Sequence, residues 1–185
     1  VITFSTWSLS HTAPPVFPTT ATDADASKYV EALSAVFRLG RAGAATDHSS
    51  VMFDVDIKSG HVRKGVSNAH WYKLGPSAPF SCPWLPSEQN VDQHPDPPNS
   101  TITGYKIPGM AEAVETVVRS HFKLLAEVPI VGWDVCFTPE GVCFLEVNLS
   151  CNFFKGKFDI PSYLAHVEQY FKVLERRKER PRHEE

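Results

Sequence analysis

The chain is short of most features that would assign a class at once. None of its apolar runs approaches the roughly 18 residues of a membrane-spanning helix, so no membrane partner is expected. Its four cysteines, Cys82, Cys136, Cys143 and Cys151, contain no C-x-x-C spacing, which argues against a zinc ribbon or a redox motif of that type. The Cys and His spacings match no zinc or iron site either. Such scattered cysteines suit a reduced, cytoplasmic setting, though four could also make two disulfides. The first residues, Val-Ile-Thr-Phe-Ser-Thr, lack the charged and apolar segments of a secretory signal, and a start at Val1 rather than Met is expected of a fragment. With 18 basic against 21 acidic residues and a net charge of -3, there is no broad basic surface, so nucleic acid is not expected as a partner.

What is present describes a folded protein. A chain of 185 residues, 42% hydrophobic and 21% charged, can bury a real core as one domain. Val1–Trp7 is apolar and β-prone and reads as a strand. Pro14, Pro15 and Pro18 mark residues 11–27 as loop. Lys28–Gly40 suits a helix or a strand, and the strand is preferred, in part on a family resemblance. Val51–Ile57 and Val62–Val66 read as a hairpin around a Gly-containing turn. Seven prolines between Pro76 and Pro98 predict an irregular loop over 76–100.

Met110–Val128 has a helical stripe of Met110, Val114, Val117, Val118, His121, Leu124 and Leu125, closed by Pro129. His121, on that stripe, is expected to be structural. A last helix opens at Asp159-Ile-Pro161, with Asp159 as its cap and Leu164, Val167, Phe171 and Leu174 as its buried stripe. Residues 176–185 form a charged tail expected to fray. The expected class is α+β, a mainly antiparallel sheet packed with helices.

The densest chemistry lies between Gly132 and Asn148, two strands around Thr138-Pro-Glu-Gly. A three-residue loop ending in a Gly141 bulge pairs Thr138 with Val142 and so sets Asp134 opposite Glu146, with Asn148 on the same face. Trp133, Val135, Phe137, Cys143, Leu145 and Val147 then share the other face, and Cys136 and Cys143 point apart as apolar fillers. A two-residue loop would instead shift the pairing by one, placing Asp134 on the face of Leu145 and burying a carboxylate among apolar groups. Facing carboxylates repel unless a cation lies between them, and Mg2+ takes one or two carboxylates plus phosphate oxygens. Spacing alone also fits the solvated outer face of an edge hairpin.

Asp134 followed by Glu146-x-Asn148 resembles the metal-binding signature of ATP-grasp enzymes. Val131-Gly-Trp-Asp-Val, Thr138-Pro-Glu-Gly and Leu145-Glu-Val-Asn are similar to the sugar-transfer-associated, glutamate-ligase-related branch of that superfamily. Phe37-Arg-Leu-Gly-Arg-Ala-Gly-Ala-Ala-Thr-Asp47 resembles the same branch's Arg-x-Gly-Arg-x-Gly stretch, and the matches run from about Phe37 to Asn148.

The resemblance implies an ATP-grasp C-terminal lobe over residues 1–175 and, as partner, an N-terminal lobe bearing the adenine hinge and phosphate-contacting lysines. It implies ATP and two Mg2+ ions as cofactors, with Asp134, Glu146 and Asn148 as metal ligands. Arg38 is the implied catalytic phosphate contact, and Arg41 and Asp47 are implied to help bind the nucleotide. The implied activity is an ATP-dependent ligase joining a small-molecule carboxylate to an amine through an acyl phosphate, inactive without the other lobe. The alternative is an inactive ATP-grasp-like interaction module with the proline-rich loop as its contact surface.

Overall fold

Among the described residues every strand pairing is antiparallel. The computed structural model describes residues 1–10, 25–43, 50–67, 91–149 and 160–179. Within these, β1 (Ile2–Ser5), β2 (Val30–Leu39), β3 (Val51–Val55), β4 (Val62–Ser67), β5 (Ile130–Thr138) and β6 (Gly141–Asn148) form one six-stranded sheet in the order β4-β3-β2-β1-β5-β6. Two single-turn helices, α1 (Trp7–Ser10) and α2 (Ala26–Tyr29), precede two long ones, α3 (Met110–Leu125) and α4 (Ile160–Glu179). The chain is therefore an α+β protein.

Local chemistry explains the β3–β4 hairpin. Asp56 accepts hydrogen bonds at Oδ1 from the Lys58 and Ser59 amides, and its carbonyl accepts the Gly60 amide at 2.7 Å. Gly60 closes the turn at φ +73°, where a Cβ would also press on Met110.

The core lies between the sheet and α3. Met110, Ala113, Val117, Val118, His121 and Phe122 are buried along α3, and Val117 packs with Val131 and Trp133. Met110 joins Ala35, Val51, Phe53, Val55 and Val62 at the other end of the sheet. His121 is a saturated polar member of this core, as expected of a structural histidine. Trp133 Nε1 donates to Thr3 Oγ1 at 2.9 Å, Thr3 Oγ1 lies 2.7 Å from His121 Nδ1, and His121 Nε2 lies 2.8 Å from the Val128 carbonyl. Burial pushes the His121 imidazole down to about 4, outweighing its backbone hydrogen bonds.

Several expectations need correction. The first strand stops at Ser5, because Trp7 enters α1 and packs edge-on to Tyr29 and Phe122. Ala26 and Ser27, expected in a loop, belong to α2. Helix α3 ends at Leu125 rather than Val128, since the residue before Pro129 is disfavoured in a helix and Val128 closes a turn onto the Leu125 carbonyl. The stripe on α3 includes Ala113 and Phe122, whereas Leu124 is exposed.

On α4, Leu164 and Phe171 are 56% and 58% exposed; Tyr163 and His166 meet Phe4 instead. The charged segment from Arg176 continues as helix to Glu179, supported by i,i+4 chemistry such as the Lys172–Glu168 pair at 2.6 Å. The proline-rich loop is described only from Val91, where isolated bridges join Val91 to Gly65 and Gln93 to Thr101.

Candidate metal centre on the sheet face away from the central helix

The β5–β6 hairpin reaches the expected pairing by a different route. Its loop has two residues, Pro139 and Glu140, with Thr138 paired to Gly141 rather than to Val142. Gly141 adopts φ +126°, and Thr138 Oγ1 donates to the Gly141 carbonyl at 3.0 Å. The one-residue shift is made at Leu145, a bulge between the Val135–Phe144 and Asp134–Glu146 pairs. Asp134 therefore does face Glu146, and Asn148 pairs with Gly132 on the same face.

Below the bulge the side chains exchange sides relative to the expectation. Phe144, not Cys143, lies beside Trp133, with ring centroids 5.1 Å apart. Cys136 sits directly across from Cys143, and the two share the face of Asp134 and Glu146 rather than pointing apart. Leu145, at the bulge, is 67% exposed. Partial desolvation raises the Cys136 thiol above its ordinary value, and the neighbouring Cys143 thiol adds to this.

Alternation along β2 puts Arg38 on this face, opposite the Ala35, Phe37 and Leu39 side that packs into the core. Its Nη1 lies 3.8 Å from Asp134 Oδ2, a loose ion pair with side chains 40% and 37% exposed. Along β3 the same alternation places buried Asp54 here, in register with Val36. Arg63 on β4 donates to Asp54 Oδ2 at 3.0 Å and also to Asp56. Those hydrogen bonds, Asp54's first, raise the Arg63 guanidinium above its ordinary value.

Across the strands, then, run Arg63, Asp54, Arg38, Asp134 and Glu146, with Asn148 beyond. Charge alternates until the last step, where two carboxylates stand opposite each other. The sequence reading did not single out Asp54 and Arg63; the Asp54-x-Asp56 spacing beside a β-hairpin Arg was the available signal.

Arg41 is held elsewhere. Its Nε donates to Asp96 Oδ1 at 2.8 Å, and Asp96 Oδ2 accepts the Ala42 amide at 2.6 Å. The Arg41 hydrogen bond, then that amide, hold the Asp96 carboxyl below its usual range. His94 Nε2 lies 2.8 Å from the Gly40 carbonyl, so this pair of contacts fastens the 91–103 loop to the end of β2. Residues 91–95, 99 and 101 line a shallow open cavity of about 470 Å³. Asp47 lies outside the described residues.

Two carboxylates and a side-chain amide on adjacent strands are hard oxygen donors, which suit Mg2+ and not a thiophilic cation. Among the described residues, no group of three or more His, Cys, Asp or Glu gathers as a metal centre, and none has a helix long and apolar enough to cross a membrane. No protein-family model, curated protein or solved structure matches the chain.

Proposed function

We propose that this chain is the Mg-ATP-binding portion of an ATP-grasp ligase, joining a carboxylate to an amine through an acyl phosphate. One observation carries the reading: Asp134, half-buried, and Glu146, exposed, are directly opposed on one sheet face, with Asn148 beside them and Arg38 Nη1 3.8 Å from Asp134. Like charges in that position destabilise a sheet unless a cation joins them. The motif resemblance around these same residues names the cation and the nucleotide.

In this reading Asp134, Glu146 and Asn148 would together hold two Mg2+ ions. Bound there, the ions would neutralise phosphate charge, which is most of what phosphoryl transfer requires. The Arg38 guanidinium, exposed on the same face, would orient phosphate oxygens. Arg41 would have to leave Asp96 to assist, so Arg38 is the stronger phosphate contact. The adenine hinge and lysines would come from the N-terminal lobe, in the full-length protein.

Calorimetric titration of the full-length protein with ATP tests this, with Mg2+ and then with a chelator. ATP binding should require Mg2+ and should be lost in Glu146→Ala. Equal binding by both proteins, or binding indifferent to Mg2+, would refute the metal assignment; Mg-ATP binding without turnover would favour the inactive module.

A further inference from the structure

We propose that Cys136 and Cys143 form an oxidisable thiol pair, closing to a cross-strand disulfide when the protein meets a hydroperoxide. The inference is independent of the metal reading.

The two residues are direct partners in the β5–β6 ladder, both carrying free thiols. Directly paired residues of antiparallel strands have Cα atoms about 4.5–5.5 Å apart, inside the roughly 4.4–6.8 Å range that a disulfide spans. They share one face, so both Cβ bonds leave the sheet on the same side. The pair also sits where the backbone can adjust. β6 is an edge strand of the sheet, the Leu145 bulge lies two residues from Cys143, and only residues 137–142 intervene. Cys143 is exposed and Cys136 half-buried, a division that separates an attacking thiol from a resolving one.

The chemistry balances with the peroxide as the only co-reactant. The Cys143 thiolate attacks one peroxide oxygen, the O–O bond breaks, and the departing oxygen takes up a proton to leave as water. Cys143 is then a sulfenic acid. The Cys136 thiolate attacks its sulfur, the S–O bond breaks, and a second water leaves as the S–S bond forms. Two thiols are oxidised by two electrons and one hydrogen peroxide is reduced to two waters. A dithiol reductant reverses the product by exchange.

A variant with Cys82→Ser and Cys151→Ser has only this pair of thiols and permits an unambiguous test. It would be treated with hydrogen peroxide, quenched with N-ethylmaleimide and read by intact mass and peptide mapping. The expected result is loss of both maleimide labels, a linked Cys136–Cys143 peptide, and recovery of both labels after dithiothreitol. Adding Cys136→Ser should strand the reaction at Cys143 as a dimedone-reactive sulfenic acid. Retention of both labels, over-oxidation to sulfinic acid in the two-thiol protein, or disulfide-linked dimers would each overturn the proposal. Wild-type protein mapped in parallel should show the same linked peptide; a Cys82 or Cys151 linkage in its place would also overturn it.

Discussion

Asp134 and Glu146 stand directly opposite each other across β5 and β6, and they do so because Leu145 is extruded between the Val135–Phe144 pair and their own. The facing carboxylates repel each other, and the loose Arg38–Asp134 pair offsets that repulsion only in part.

That repulsion gives a prediction with two readouts. Without divalent cations, Glu146→Gln should raise the melting temperature by roughly 1–3 °C, the size expected for relieving one like-charged cross-strand pair in a domain this long. With Mg2+ the order should reverse, because only the wild type gains from the ion. Differential scanning calorimetry with and without Mg2+ measures both effects.

The bulge makes a second prediction. Excising Leu145 should leave a regular ladder in which Val135 still meets Phe144 and Asp134 still meets Glu146, so Mg2+ stabilisation should persist. Excising Val147 should turn Asn148 to the opposite face and weaken it. Thermal shifts against Mg2+ concentration compare the two deletions.

His121 should make stability depend on acid. Its folded-state value, about 4, lies below the ordinary 6.5, so the unfolded chain binds the extra proton. Stability from this group is therefore complete above about pH 6.5. It is lost as the pH falls toward 4, by about 3 kcal/mol in all. Urea denaturation of wild type and His121→Gln between pH 7.5 and 4 should show the wild type's steeper decline.

Gly65 lacks room for a side chain. A Cβ there would lie 2.7 Å from a Phe53 ring carbon and 2.8 Å from the Met52 carbonyl oxygen. Gly65→Ala should cost about 1–3 kcal/mol, as overpacking of a filled core does, measured by chemical denaturation.

Much of this arrangement was legible in the amino-acid order. The β3–β4 hairpin, helix α3 and the Asp134–Glu146 pairing follow from periodicity and turn residues, whereas β2 suited helix or strand and the family resemblance helped to favour the strand. The pairing was reached through a three-residue loop, though, while the chain uses two residues and a bulge. Bulges leave little trace in a hydrophobic pattern, because the extra residue can be apolar, as Leu145 is, and still face solvent. The same slip sent Cys143 to the wrong face. On α4, an apolar stripe at helical spacing was taken to be the buried one, but contact with Phe4 selects Tyr163 and His166, two aromatic residues beside that stripe. The Asp96 contact that occupies Arg41 joins residues 55 positions apart, which local pattern does not reveal.

Titration of Mn2+, a paramagnetic substitute for Mg2+, into isotopically labelled protein locates the bound cation through amide line broadening. Broadening should begin at Asp134, Glu146 and Asn148, be competed away by Mg2+, and vanish in Glu146→Ala. Broadening centred on Asp54–Asp56 or on the 91–103 loop, or unchanged in Glu146→Ala, would contradict the assignment.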